Sequence, residues 1–503
     1  MSDGEGRGGR AKAFYRLVGA AAALSLGLAS ALPTAAPARA DLLDNVFSIF
    51  EPSNDREVGA QHHEQVVAQY GGEYIYPGLN DYILDIGLRL AFVSEMRDLP
   101  WRFTVLNSPV VNAFALPGGY VYITRGLLAL ANNEAEVAGV LAHEIGHVTA
   151  RHGAARQSRA TGIGLLGALA GILTGSSVVG QLGQQLGGMY VAGYSRDQEY
   201  EADQLGVRYL GLAGYPRDAM ADFLRRMEAQ TKYMAALTGN QAGGSFDFFA
   251  SHPQTGDRVS RAASAANAQA DNLARDYEKG RFLDSINGML YGDDPKEGII
   301  RGREFLHPAL RFKFMAPEGF QLINSAKAVY AVDGGGNQMV FDLGTQRTSG
   351  QSMSHYLTRE WLAKINVPSV SAVEVGGRPA AVSRFVLNRD GARAYLTVAA
   401  IDFGGGRVAR FIYQATSADN ALSARFTESF SSFRAMSEAE AAQIRPAVMT
   451  IDTVREGDTL DAIVGRMAGV VQDRKALFLL LNPAFERGMP AVGEKYKSVQ
   501  YGG

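Results

Sequence analysis

The 503-residue chain contains no cysteine. That absence excludes disulfide staples, thiolate zinc sites, iron–sulfur clusters, a cysteine nucleophile and a lipid-anchor cysteine. It has no excess of positive charge: 49 Lys and Arg stand against 51 Asp and Glu. The electrostatic footprint of a nucleic-acid binder is therefore missing, and no nucleic-acid partner is expected. Its 58 glycines and 17 prolines follow no period, which excludes a collagen-like chain. No repeat recurs at solenoid spacing. Long apolar runs are scarce. Leu17–Leu32 falls short of the roughly 20 residues that span a bilayer. What remains is a globular profile, 47% hydrophobic and 20% charged, long enough for about two to four domains.

The N-terminal residues carry a processing signal. Arg7, Arg10, Lys12 and Arg16 precede the apolar run, and Ala38-Arg39-Ala40 follows it, just before Asp41. This order predicts a secretory signal peptide over 1–40, with a permanent anchor as the alternative. Export without cysteine points to a bacterial periplasm.

Beyond it, apolar spacing predicts helices over 55–70, 80–97, 132–151 and 196–211, with Asn132 or Asn133 capping the third. Trp101–Leu106 alternates like a strand, and 110–124 reads as two strand pieces around Pro117-Gly118-Gly119. From about residue 300, strand-like runs alternate with helical stretches at 354–365 and 417–433.

The chemistry is concentrated at His143-Glu144-Ile145-Gly146-His147. Histidines at i and i+4 lie on one helical face and can share one zinc ion. The intervening glutamate can take a proton from water at the metal's open position. With eight histidines in the chain, chance matches to HExxH number on the order of 0.006. A catalytic zinc needs a third protein ligand, here a carboxylate or another histidine. Glu199 and Asp203 sit four apart on the predicted helix 196–211; one can reach the metal while the other hydrogen-bonds a ligating histidine. Glu201 faces elsewhere on such a helix.

HEIGH, the later E-x-x-x-D and the preceding NAFALPGG resemble the HtpX/CAAX-prenyl-protease family of zinc peptidases, its exported BepA-like and LoiP-like branch, over about residues 55–265. The resemblance implies one zinc on His143, His147 and Glu199, Glu144 as general base, and Asp203 as support for a ligand. It implies further that Asn112, Ala113, Phe114, Ala115, Gly118 and Gly119 form the strand and loop with which substrate pairs, consistent with backbone addition of an extended peptide to a sheet edge. Ser251-His252-Pro253 with Arg258 matches another family element. There His252 either steadies the oxyanion or occupies the open metal position; the bland alternative is a helix-entry histidine. Helical repeats that follow the protease in BepA-like relatives have no counterpart here.

Other histidines offer less. His62 and His63 diverge on their helix, His152 reads as a cation at a helix C-terminus, and His307 and His355 have no partner in the pattern. Residues 160–195 lack any charged side chain and read as a glycine-rich loop and buried helix between the two zinc-bearing helices, or as a mobile lid or peripherally membrane-touching element over the cleft. Residues 300–435 loosely resemble PsbP-like α/β folds. VREGDTLDAIVGRM and LLLNP, within 448–503, resemble a βααβ LysM module, which binds peptidoglycan-type glycans.

The expected architecture is α+β and multidomain: a signal peptide over 1–40, a mainly helical zincin-type protease with a small edge sheet over 41–295, an α/β domain over 300–435 and a LysM-like unit over 448–503. The expected function is an exported zinc endopeptidase acting on unfolded or misassembled envelope proteins. The alternatives are a peptidoglycan peptidase guided by the LysM-like unit and a chaperone-like protein with a latent metal site.

Overall fold

The computed structural model describes residues 52–153, 194–238, 248, 252–253, 256–268, 279–346, 350–389, 392–469 and 473–502. The expected signal peptide, and the lid segment as far as residue 193, lie outside them.

The N-terminal half is built on helices. They are α1 (Pro52–Gln69), α2 (Leu79–Phe92), a short α3 (Arg125–Leu130), α4 (Glu134–Thr149), α5 (Arg196–Leu212), α6 (Ala219–Thr238), α7 (Arg258–Ala268) and α8 (Lys279–Ile286). Between α2 and α3 lies a three-stranded sheet of β1 (Arg102–Leu106), β2 (Ala113–Leu116) and β3 (Tyr120–Thr124) in the order β1-β3-β2. β1 runs parallel to β3 and β2 antiparallel, so β2 is an edge. The turn joining β2 to β3 needs φ of +85° at Gly118 and +91° at Gly119, values glycine reaches without a Cβ clash.

Helix α4 is the central strut. Asn133 caps it, its side chain accepting the Glu136 amide at 2.8 Å, and every residue from Glu134 to His147 is buried. α5 begins with a reciprocal capping box between Ser195 and Gln198. The two helices approach closely because Gly146 faces the Ala202 carbonyl, where a Cβ would sit 3.0 Å from its oxygen. That close approach brings Glu199 to the histidines.

The second region is antiparallel β. β4 (Leu290–Tyr291) leads to β5 (Ile299–Arg301), β6 (Glu304–His307) and β7 (Phe312–Met315), which with β15 (Arg434–Ala435) form a sheet ordered β15-β7-β6-β5. β8 (Gln321–Asn324), β9 (Val329–Val332), β10 (Gln338–Thr345), β11 (Ser371–Val375), β12 (Arg378–Arg389), β13 (Ala392–Gly404) and β14 (Arg407–Ala415) form a seven-stranded sheet ordered β11-β12-β13-β14-β10-β9-β8. One face packs on the phenylalanine-rich second sheet and on α10 (Asn420–Ser431). The other packs on Tyr356, Leu357 and Trp361. The helix expected over 354–365 is a single turn, α9 (Met353–His355), running into a π-helical turn over Tyr356–Trp361.

The C-terminal unit runs β16 (Ala447–Thr453), α11 (Leu460–Gly465), α12 (Arg474–Leu481) and β17 (Lys495–Tyr501), a strand–helix–helix–strand order. Thr459 caps α11 as its position in the sequence suggests. β16 pairs with both β17 and β4, and Met449, Leu477, Phe478 and Val499 share one apolar core with α4 and α6. Lys497 is buried and donates to the carbonyls of Ala129, Leu130 and Ala131 at 2.7–2.9 Å, closing the C-terminus of α3. No helix among the described residues is long and apolar enough to cross a membrane.

Candidate metal centre

α4 presents His143 and His147 one turn apart, their Nε2 atoms separated by 3.0 Å. α5 supplies Glu199, with Oε1 3.5 Å from His147 Nε2 and Oε2 3.7 Å from His143 Nε2. His252 enters from the turn before α7, Nδ1 lying 3.2 Å from His143 Nε2 and 3.1 Å from Glu199 Oε1. One donor atom from each of the four residues falls within a 4.8 Å span, and all four residues are buried.

The donor set fits a zinc ion. Metal–nitrogen bonds of about 2.0–2.1 Å require donor–donor separations of roughly 3.3 Å around a tetrahedron, close to the contacts found. Charge points the same way. Glu144, Glu199 and Asp203 are buried carboxylates faced by one buried guanidinium, Arg258. With imidazoles neutral, as metal ligands would be, this leaves two negative charges in the interior, which a divalent cation would balance; without an ion the same field raises the His143 pKa, Asp203 and Glu199 outweighing burial.

The surroundings hold the donors in place. Asp203 Oδ1 lies 2.9 Å from His143 Nδ1 and fixes that ring. Arg258 grips Asp203 with two bonds of 2.9 and 2.8 Å and reaches Glu199 Oε2 at 2.6 Å. Burial alone would raise the Glu199 pKa, but His252, His147 and Arg258 outweigh it and hold the carboxyl well below its ordinary range. Asp203 is likewise lowered, Arg258 and His143 overriding burial. Burial drives the His147 pKa well below 6.5, which keeps the imidazole neutral, as a ligand must be. Glu144 does not join the donor group; its Oε1 faces His252 Nε2 at 3.4 Å.

Three contacts escape the sequence pattern. Tyr194 stacks on His147 with ring centroids 3.7 Å apart, and Phe248 stacks on His252 at 4.2 Å. Phe248 stands four residues before His252, a spacing that could have revealed it. His152 is not a helix-end cation facing a dipole. Its Nδ1 lies 2.8 Å from His147 Nδ1 and its Nε2 lies 3.2 Å from Glu201. The reason is local: Arg151 adopts φ +58°, which ends the helical path and turns His152 back toward the site.

Residues 77–266 match the family model for peptidase family M48. This segment belongs to peptidase family M48. Over 229 residues the chain is 32% identical to the beta-barrel assembly-enhancing protease of Yersinia pestis, covering 43% of this chain and 45% of the relative. Its counterpart in Escherichia coli K12 is 30% identical over 213 residues, 40% of this chain and 42% of the relative. The mitochondrial metalloendopeptidase OMA1 of Schizosaccharomyces pombe is 29% identical over 208 residues, 41% and 59% respectively. The chain thus matches less than half the length of those two bacterial relatives. Among solved structures, cyanobacterial PsbP from Synechocystis gives a TM-score of 0.21 at 10% identity, covering 26% of this chain and 91% of that one.

The M48 domain also contains the expected substrate strand. β2 is paired with β3 along one side, and Asn112 is held through its amide by Thr124 Oγ1 at 3.1 Å. The side chain of Ala113 lies in the main core and that of Phe114 in a smaller core with Val66, Leu106 and Tyr122. What Ala113 and Phe114 could offer a substrate is therefore backbone. Of the early histidines, His63 is buried against the Tyr122 hydroxyl at 2.8 Å, a packing role.

Proposed function

We propose that the protein is an exported zinc-dependent endopeptidase of the bacterial envelope that cleaves unfolded or misassembled envelope proteins. The observation that carries the reading is the buried donor group of His143, His147, Glu199 and His252 beside Glu144. His143, His147 and Glu199 would hold the ion. Zinc, when bound there, polarises the scissile carbonyl and acidifies water. Glu144 takes the proton of the attacking water and returns it to the departing amine. Asp203 and Arg258 keep the ligands aimed. The backbone edge of β2 and the Gly118-Gly119 turn take up an extended chain by main-chain hydrogen bonds, a mode that suits unfolded substrates because it ignores sequence.

His252 occupies the fourth corner of the donor set in the resting state, so it must move before water and substrate enter. Its contacts with both His143 and Glu199 favour this latch over an oxyanion role. Periplasmic localisation rests on the signal-like 1–40 segment. The strand–helix–helix–strand order of 447–501 supports the LysM-like reading and glycan attachment through it.

The test is cleavage of unfolded casein and of purified sacculi by the zinc-loaded chain, with Glu144→Gln as control. Casein cleavage that Glu144→Gln abolishes supports the proposal. Release of muropeptides without casein cleavage would replace it with a peptidoglycan peptidase, and full complementation of a null strain by Glu144→Gln with a chaperone. His252→Ala should raise activity if the residue is a latch and lower it about 10²–10³-fold if it is an oxyanion donor.

A further inference from the structure

Beside the metal centre, and lined in part by His147, the M48 domain has a recess of about 90 Å³. Its walls come from three places: Met96 and Leu99 in the loop after α2, Ala115 and Leu116 on the edge strand, and Val148 at the end of α4. Met96, Leu99, Ala115 and Val148 are only partly buried, yet they pack against the main core, so the walls are backed by a rigid interior. Tyr194 and His147, already stacked on one another, close the end nearest the metal site. At the mouth, Arg151 reaches Asp55 Oδ2 at 2.6 Å, and the exposed Arg56 leaves the rim with one further positive charge.

We propose that this recess is a specificity subsite that receives one aliphatic side chain of the substrate next to the scissile bond. The inference rests on the peptidase reading and adds what that reading does not specify, the class of side chain selected. Continuity with the site argues for it. β2, the strand proposed to pair with substrate, forms one wall, and the ligand candidate His147 forms another, so a chain lying along β2 passes over the opening. Size fixes the occupant. A cavity of about 150 Å³ holds a benzene ring, and 90 Å³ is well below that. Valine, leucine or isoleucine would fit; phenylalanine and tryptophan would not. Chemistry agrees. A cationic side chain would meet methyl and thioether groups inside and, at the rim, Arg56 and an Asp55 already paired with Arg151, while an acidic one would find only the exposed Arg56 outside the apolar interior. Backbone pairing alone accepts any sequence, so this recess would supply the discrimination that the strand edge lacks.

The experiment uses the full chain loaded with zinc, with wild type and variants of Leu99, which is not among the proposed metal ligands. Two readouts are taken. The first is cleavage of a peptide mixture randomised at one position and sequenced by mass spectrometry. The second is calorimetric binding of peptidyl hydroxamates that differ only in carrying a glycine, leucine or phenylalanine side chain, in wild type and in His252→Ala, where the latch is absent. The expected result is leucine over glycine and over phenylalanine, each by about 10-fold or more, in both readouts. Leu99→Ala should enlarge the recess and bring phenylalanine to parity or better. Leu99→Trp should fill it and remove the leucine preference while glycine binding is kept. Equal binding of the three hydroxamates with zinc present would overturn the subsite and leave the metal centre intact. The same holds if Leu99→Ala and Leu99→Trp scale all sequences down together. Failure of every hydroxamate to bind, in His252→Ala as well, would overturn the accessible metal centre itself and the subsite with it.

Discussion

The M48 domain and the β-rich region after it have interiors of opposite character. Around α4 and α5, the buried volume includes three histidines, three carboxylates and an arginine, all within about one side chain of each other. Between the seven-stranded and the four-stranded sheet the interior is rich in aromatics, with Phe305, Phe312, Phe314, Phe341 and Phe411 packed together. Among the described residues the β-rich region's buried charge is the Arg410–Asp342 pair, Nε to Oδ1 at 2.7 Å, close to the Trp361 ring. An isolated neutral pair can be replaced by apolar groups at little cost, whereas a cluster with excess negative charge must take up a cation or protons. Interiors of the second kind are where chemistry is expected.

Substitutions can break this contrast in order of effect. Glu144→Gln changes no proposed ligand, so zinc content should stay at wild type while proteolysis falls about 10²–10⁴-fold, read by casein turnover beside metal analysis. Arg258→Met strips Glu199 and Asp203 of their counter-charge; chemical denaturation should show a loss of about 3–5 kcal/mol, and zinc retention should fall with it. Arg410→Met should destabilise by a similar mechanism yet leave turnover per folded molecule unchanged, and the double variant Arg410→Met with Asp342→Leu should recover stability. A loss of zinc in Arg410→Met would erase the distinction between the regions. Chelation should lower Tm by removing about 2.7 kcal/mol at ion concentrations 100-fold over Kd, and zinc should restore it.

The smallest effect concerns pH. His307, half-buried in the β region, has its pKa lowered to about 4 by burial. The unfolded chain binds that proton below about 6.5 and the folded chain only below about 4, so stability is lost as pH falls through this interval. His307→Asn should flatten that part of a Tm-against-pH curve.

Much of the site could be read from the sequence because two helices carry it. The i, i+4 spacing in HEIGH and again in Glu199 and Asp203 puts each pair on one face, and Asn133, one of the two cap candidates read from the sequence, starts the first of those helices, while the Ser195 capping box of the second emerged only in the structure. The approach of the helices was less visible: it depends on Gly146 meeting Ala202, a contact between distant segments. His152 was misread because a helix was extended through Arg151, whose left-handed φ redirects the chain. The C-terminal unit shows a related limit. Its strand and helix pattern is legible, but composition does not say which faces dock, so the merging of Phe478 and Val499 into the core around α4 and the burial of Lys497 on α3 were not foreseen.

The most direct test of the metal centre is zinc-edge anomalous diffraction on crystals of the full chain, with metal analysis of His143→Ala, His147→Ala and Glu199→Ala. One zinc per chain within about 2.2 Å of His143 Nε2, His147 Nε2 and a Glu199 oxygen, lost in each variant, is the predicted result. A zinc bound elsewhere, or one retained at full occupancy after any of these substitutions, would contradict it.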